Sequence, residues 1–268
     1  MNIGPLLTIG AIGIGSKALL NTISASVTIK GLHHLLEALE ETNRVGRGII
    51  TVSNHISVTS CSLIHRVHRW FFRNGQVIET VRGGGVHQPA VDLAVEKLNA
   101  GAWIHIFPEG KVNQESCVPG GKLLRFKWGV GRMIMSTTKT PVIIPMHITG
   151  LHKVMPEPRR FKFIPRPGHH VCITFGDPVD LTRETDNLVQ RWRQTRPTLN
   201  GVDSSKPVHE AVSNLGGEVD TARLSGGIRK KAMEDLKDID WSDEERARVD
   251  IVALLQRGVA DLALAHQA

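Results

Sequence analysis

The sequence predicts an α/β fold, a mainly parallel central sheet flanked by helices, and three observations carry that expectation. Short apolar, β-branched runs alternate with stretches of helical period. Glycine- or proline-containing turns follow several of these runs, and carry His, Arg or Glu. The chain has 268 residues, enough to bury a full core in one domain with an appendage.

In chain order, residues 1–28 are apolar or small, with Lys17 as the only charge. A spanning helix wants ~20 mostly apolar residues, and Pro5 with Gly4, Gly10 and Gly13 interrupts this stretch. It reads as a membrane-associated segment lying in one leaflet. A buried first helix of the core is the other reading. Ser24 to Ile29 reads as a strand. Leu32, Leu35, Leu36 and Leu39 then recur at helical spacing. Ile49 to Ser53 is a second strand, and Gly75 to Val81 a third. Pro89 opens a helix whose apolar face is Val91, Ala94, Val95 and Leu98, and Gly101 closes it. Trp103 to Phe107 follows as a strand stopped by Pro108.

Lys122, Arg125, Lys127 and Arg132 interleave with Leu124, Phe126, Trp128 and Met133, which predicts a basic amphipathic helix. It faces either lipid headgroups or plain solvent. Val142 to Met146 and Val171 to Phe175 are further strands. Helices between these strands would cover the sheet on both faces. The core domain so defined is 24–184, followed by a polar linker over 185–226 and a C-terminal helical region over 227–268. Ser242 and Glu245 match a capping box there, ahead of an apolar stripe of Val252, Leu255, Val259 and Leu262.

Composition narrows the function. The net charge of +7 favours a polyanionic partner, nucleic acid or an anionic membrane. Tyr is absent and no nucleic-acid-reading motif is recognisable, so nucleic acid is not expected. Three widely spaced cysteines predict neither a disulfide framework nor a zinc site. No metal and no cofactor is called for.

The chemistry-bearing residues stand at predicted strand ends. In an open α/β sheet, ligands bind at the carboxyl ends of strands. His55 there can take a proton from a hydroxyl nucleophile. Arg82 offers a fork suited to phosphate. Gly83 and its neighbours let backbone N–H groups approach an anion. Glu109 and Gly110 sit in the turn after Phe107. Each is weak alone; together they outline an acyl-transfer site on a phosphorylated alcohol.

At these residues the chain resembles the glycerolipid acyltransferase superfamily, and within it the tafazzin family. Asn54-His55 is similar to the start of the family's H-x4-D block. Gly75 to Val86 is similar to the second, phosphate-contacting block. Trp103 to Asn113 is similar to the third block almost throughout, and Arg125 to Arg132 with Pro141 to Pro145 adds to it. The chain departs from the family at Ser60, where the H-x4-D block has Asp. Its connection from there to Phe71 is also shorter than the family's. The resemblance implies His55 as catalytic base, Arg82 and Gly83 as phosphate contacts, and Glu109 with Gly110 as substrate-positioning groups. It implies transfer of acyl chains between phospholipid and lysophospholipid substrates, cardiolipin among them, without free coenzyme A. It also implies an anionic membrane surface as partner, in mitochondrial membranes facing the intermembrane space. Acyl-CoA-dependent acylation and an inactive lipid-binding protein remain the alternatives, the second because of Ser60. Oligomeric state is not legible.

Overall fold

The computed structural model describes residues 10–41, 45–56, 75–81, 84–117, 121–157, 165–178, 183, 186–190 and 241–267, apart from residues 12, 16, 19 and 20. Arg82, Gly83, Ser60 and most of the predicted linker lie outside these residues.

Five strands form one sheet: β1 (Ser24–Lys30), β2 (Ile49–Ser53), β3 (Trp103–Ile106), β4 (Val142–Thr149) and β5 (His169–Phe175). Their spatial order is β1-β5-β4-β2-β3. Three neighbouring pairs are parallel, and only β4 and β5 run antiparallel. The predicted mainly parallel α/β sheet is therefore present. β2 lies between β3 and β4, and all five of its residues are buried. This is why Ile49–Ser53 reads as a near-continuous apolar run.

One face of the sheet carries the main core. Ile50, Val52 and Ile143 meet α2 (Pro89–Asn99), α3 (Gly129–Ser136) and the C-terminal helix α5 (Trp241–Gln267). On the other face α1 (Leu32–Glu40) places Leu35 and Ala38 on Ile49, Val142, Ile144, Met146 and Phe175. The cover on that second face is partial. Over β3, Trp103 and Phe107 stay exposed, at 49% and 39%. A short helix α4 (Leu151–Val154) follows β4.

Several expectations are corrected. Gly75 to Val81 is not a strand. Gln76 takes a left-handed φ of 57°, only Ile78 meets the core, and the Val81 N–H bonds the Gln88 side chain at 2.9 Å instead of a neighbouring strand. The basic stretch from Lys122 is not helical until Gly129. Its N–H groups go elsewhere: Leu124 to Glu109 at 2.9 Å, Phe126 to Gln256 at 3.4 Å and Lys127 to the Pro108 carbonyl at 2.8 Å. Donors taken by tertiary acceptors cannot build an i to i−4 ladder. Arg132 does not face lipid. It donates to the Val86 carbonyl at 2.6 Å and pairs with Asp92 at 2.5 Å. Within the predicted linker, residues 186–190 are helical and Val189 is fully buried.

The C-terminal helix begins at Trp241, so Ser242 lies inside it and does not cap it. It docks on the core, as its apolar stripe implies. Ile251, Leu255 and Val259 are fully buried in the main core, and α5 packs on β4 and α3. At the N-terminus the described residues between 10 and 18 are helical and exposed, Ile14 at 74%, which is not the burial of a core helix. Among the described residues no helix is long and apolar enough to cross a membrane.

If α5 is a wall of the core, Leu255→Ala should cost about 2–5 kcal/mol in urea denaturation. Leu264→Ala, on the same helix but 65% exposed, should change stability by less than about 0.5 kcal/mol. Equal midpoints for the two variants would remove α5 from the core.

Candidate active site

The site is built where β2 and β3 end side by side. The two strands are parallel, with Thr51 opposite His105 and Val52 opposite Ile106. Parallel neighbours deliver the segments that follow them to the same edge, so His55 and Glu109 meet there. The His55 backbone N–H donates to Glu109 Oε1 at 2.8 Å. Glu109 Oε2 accepts from Asn113 Nδ2 at 2.8 Å and from the Leu124 N–H at 2.9 Å. Glu109 is 1% exposed. A carboxylate that deep needs such donors, and three of its about four acceptor sites are taken by the protein itself.

The turn around Glu109 is tied at each step. Gly110 has φ of 70°, and its N–H returns to the Phe107 carbonyl at 3.2 Å. The Lys127 stem crosses directly over Gly110: an added Cβ would lie 3.4 Å from Lys127 Cγ. The left-handed φ calls for glycine, whereas a Cβ would meet the Lys127 stem only at ordinary contact distance. Asn113 donates its backbone N–H to the His55 carbonyl at 2.6 Å, and Gln114 Nε2 reaches the Ile56 carbonyl at 3.0 Å and the Met155 carbonyl at 2.7 Å. Asn54 bridges to β4 through its amide, accepting from the Ile148 N–H at 2.8 Å and donating to the Ile148 carbonyl at 2.9 Å. It continues the β2–β4 pairing with a side chain just before His55.

His55 is half-buried, and its ring stacks on Phe107 with centroids 4.7 Å apart and 23° between planes. Phe107 meets His105 edge-on at 4.5 Å. His105 in turn lies within hydrogen-bond reach of Thr51 Oγ1 at 2.8 Å and Ser53 Oγ at 3.3 Å. Loss of hydration lowers the His105 pKa to about 4, and the neighbouring His55 adds to this. Part of the His105 ring remains open to solvent, which moderates the energetic consequence. Cys117, behind the site, is pushed up to about 11 by burial, so its thiol stays protonated at neutral pH.

Of the residues the sequence singles out, the structure brings His55, Glu109 and Gly110 together. Arg82 and Gly83 are outside the described residues. Their flanks are held by Gln88, which accepts from the Val81 N–H at 2.9 Å and donates to the Gly85 carbonyl at 2.8 Å. Lys111, Lys122, Arg125 and Lys127 are exposed along the segments that frame the turn, and the Arg125 guanidinium lies 5.3 Å over the Trp128 ring. Sequence reasoning assigned no role to Asn54, Phe107, His105 or Asn113. The spacing of Asn113 four residues after Glu109 was the available signal, but it means nothing until the turn is folded. Among the described residues no group of His, Cys, Asp and Glu is arranged to hold a metal.

A protein-family model described as Acyltransferase matches residues 58–149. The matched span starts just after His55 and takes in the connection that contains Ser60. The chain is 37% identical to the Drosophila melanogaster protein named Tafazzin, over 58% of this chain and 39% of that one. It is 30% identical to the Dictyostelium discoideum protein named Taffazin, over 58% of this chain and 62% of that one. It is 31% identical to an Arabidopsis thaliana N-acylphosphatidylethanolamine synthase, over 59% of this chain and 65% of that one. The chain thus spans about two fifths to two thirds of the length of these relatives.

Two outcomes test this geometry. Glu109→Gln turns one acceptor into a donor facing N–H groups, and should destabilise the fold by roughly 1–3 kcal/mol. A Glu109 that only touched substrate would leave the urea midpoint unchanged. His105 binds its proton less readily folded than unfolded, so its contribution to stability is complete above pH 6.5 and is lost as pH falls towards about 4. His105→Gln should therefore show a smaller loss of stability between pH 7 and pH 5 than the unchanged chain. Parallel pH curves for the two would contradict a His105 that stays neutral in the folded chain.

Proposed function

Because this chain belongs to the tafazzin family of the glycerolipid acyltransferase superfamily, we propose that it moves fatty acyl chains between phospholipids and lysophospholipids without free coenzyme A. Cardiolipin is the expected polyanionic substrate. The observation that carries this reading is the buried Glu109 carboxylate holding the His55 backbone at the common end of β2 and β3.

In this reading the His55 ring takes the proton from a lysophospholipid hydroxyl as its oxygen attacks the ester carbonyl of a donor phospholipid. The tetrahedral intermediate then expels the donor's glycerol oxygen, which receives the proton back from His55. One ester bond forms and one breaks, and no oxidant or reductant is needed. Arg82 and the Gly83 backbone are the proposed phosphate contacts. Gly110 and the exposed Lys111, Lys122 and Lys127 border the same turn and suit anionic headgroups. Glu109 acts through the backbone it holds, with its oxygens already engaged. The proposed location is a mitochondrial membrane facing the intermembrane space, with the chain lying on the bilayer through residues 1–28. The exposed helical residues between 10 and 18 and the net charge of +7 support that attachment.

Ser60 favours one second reading, a protein that binds lipid but turns over weakly. In the serine-protease case, losing the Asp that orients the base costs about 10⁴ in kcat. The test is transfer of labelled acyl chains from phosphatidylcholine to lysocardiolipin in vesicles, with and without acyl-CoA. Slow transfer independent of acyl-CoA is expected, lost in His55→Ala and increased but not fully restored in Ser60→Asp. Transfer that requires acyl-CoA would reassign the donor, and vesicle binding without transfer under either condition would establish the inactive reading.

A further inference from the structure

We propose that Phe107 and His105 are positioning residues that hold the His55 ring in orientation, a task that no carboxylate at position 60 performs in this chain. The proposal rests on the reading of His55 as the base and deepens it. The support is a continuous chain of contacts that starts inside the sheet. Thr51 and Ser53 are fully buried on β2, and both hydroxyls lie on the His105 ring. His105 abuts Phe107 at 85°, and Phe107 lies nearly parallel to His55. Offset-stacked and edge-on pairs at such separations are the attractive aromatic geometries. A rotation of the His55 ring therefore loses contact with a ring that is itself wedged from behind.

The hydrogen atoms can be placed along this chain. Trp103 Nε1–H donates to Thr51 Oγ1 at 3.0 Å, which leaves the Thr51 hydroxyl hydrogen for His105 Nδ1 at 2.8 Å. The His105 Nε2–H then donates to Ser53 Oγ, whose own hydrogen goes to the Asn54 carbonyl at 3.3 Å. Every partner is satisfied with His105 neutral and protonated at Nε2. Neutrality has a chemical consequence. A cation so close to His55 would oppose its protonation, whereas an uncharged ring leaves His55 able to accept the hydroxyl proton.

The glutamate staple and the aromatic wedge divide the work. Glu109 holds the His55 backbone, and the rings hold its side chain. The two are separable by mutation, since Phe107 lies outside the hydrogen-bond set of Glu109.

The experiment uses the full chain with isotope-labelled histidine, and the His55 ring signals are assigned by their loss in His55→Gln. In the unchanged protein the His55 ring protons should be shifted upfield by the Phe107 ring current. Phe107→Leu keeps apolar bulk but removes the ring. It should abolish that upfield shift and lower kcat about threefold to tenfold, with KM unchanged within about twofold. Phe107→Tyr should recover the shift and most of the kcat that Phe107→Leu loses. His105→Leu should reduce the shift, and His105→Gln less so. Urea midpoints of each variant separate these effects from simple unfolding. An unshifted His55 ring in the unchanged protein, or a kcat equal to the unchanged chain's in Phe107→Leu, would overturn the proposal. If no variant or parent transfers acyl groups, the reading of function fails, while the ring shift still decides whether Phe107 orients His55.

Discussion

One buried carboxylate organises this end of the molecule. Glu109 joins His55 beyond the end of β2, the turn after β3 and the segment that leads into α3, using two oxygens and three donors. Burial of an ionised carboxylate is tolerable only when such donors surround it. The requirement runs both ways. The N–H groups of His55 and Leu124 would lose this acceptor if the carboxylate were removed, while Asn113 Nδ2 would keep only the Lys122 carbonyl. A local motif of proline, glutamate and glycine thereby becomes a three-way junction, and His55 is held through its backbone.

The asymmetry of the sheet explains why a site can exist there. One face is covered by α2, α3 and α5 around Ile50, Val52 and Ile143. The opposite face is covered by α1 over β4 and β5. Across β2 and β3 it carries Thr51, Ser53 and His105, with Trp103 and Phe107 beside them. Along β2 the side-chain alternation puts Ile50 and Val52 on the sealed face, and Ile49 under α1 with Thr51 and Ser53 on the opposite one. The same strand therefore anchors the core and supplies the polar network behind the site.

The basic residues separate into two kinds once their partners are known. Arg132 is drawn inward, clamping α3 to the start of α2 through Asp92 and Val86. Lys111, Lys122, Arg125 and Lys127 remain exposed on the segments that frame the turn. Charge alone would put all of them on one lipid-facing surface. Pairing leaves a smaller exposed set on the segments that frame the turn.

The sequence by itself determined the α/β class, four of the five strands to within a residue or two at their ends, the two helices with clear period, and the grouping of His55, Glu109 and Gly110. These follow from local physics: β-branched runs, a 3.6-residue repeat, proline at a helix start, glycine where φ is positive. The family resemblance in the Trp103–Asn113 block then indicated which strand ends mattered. Only the tertiary structure decided the rest. Gly75 to Val81 has a strand-like composition but its Val81 N–H goes to Gln88. The stretch before Gly129 has helical spacing, yet Glu109, Pro108 and Gln256 take its N–H groups. The apolar stripe of α5 is visible in the sequence, but that it completes the main core depends on residues more than a hundred positions away. The role of Glu109 as an internal staple and the ring stack on His55 likewise depend on partners from separate strands. Periodicity reports what a segment prefers on its own. Which acceptor claims its donors, and which ring lies against its side chains, is settled when distant segments meet.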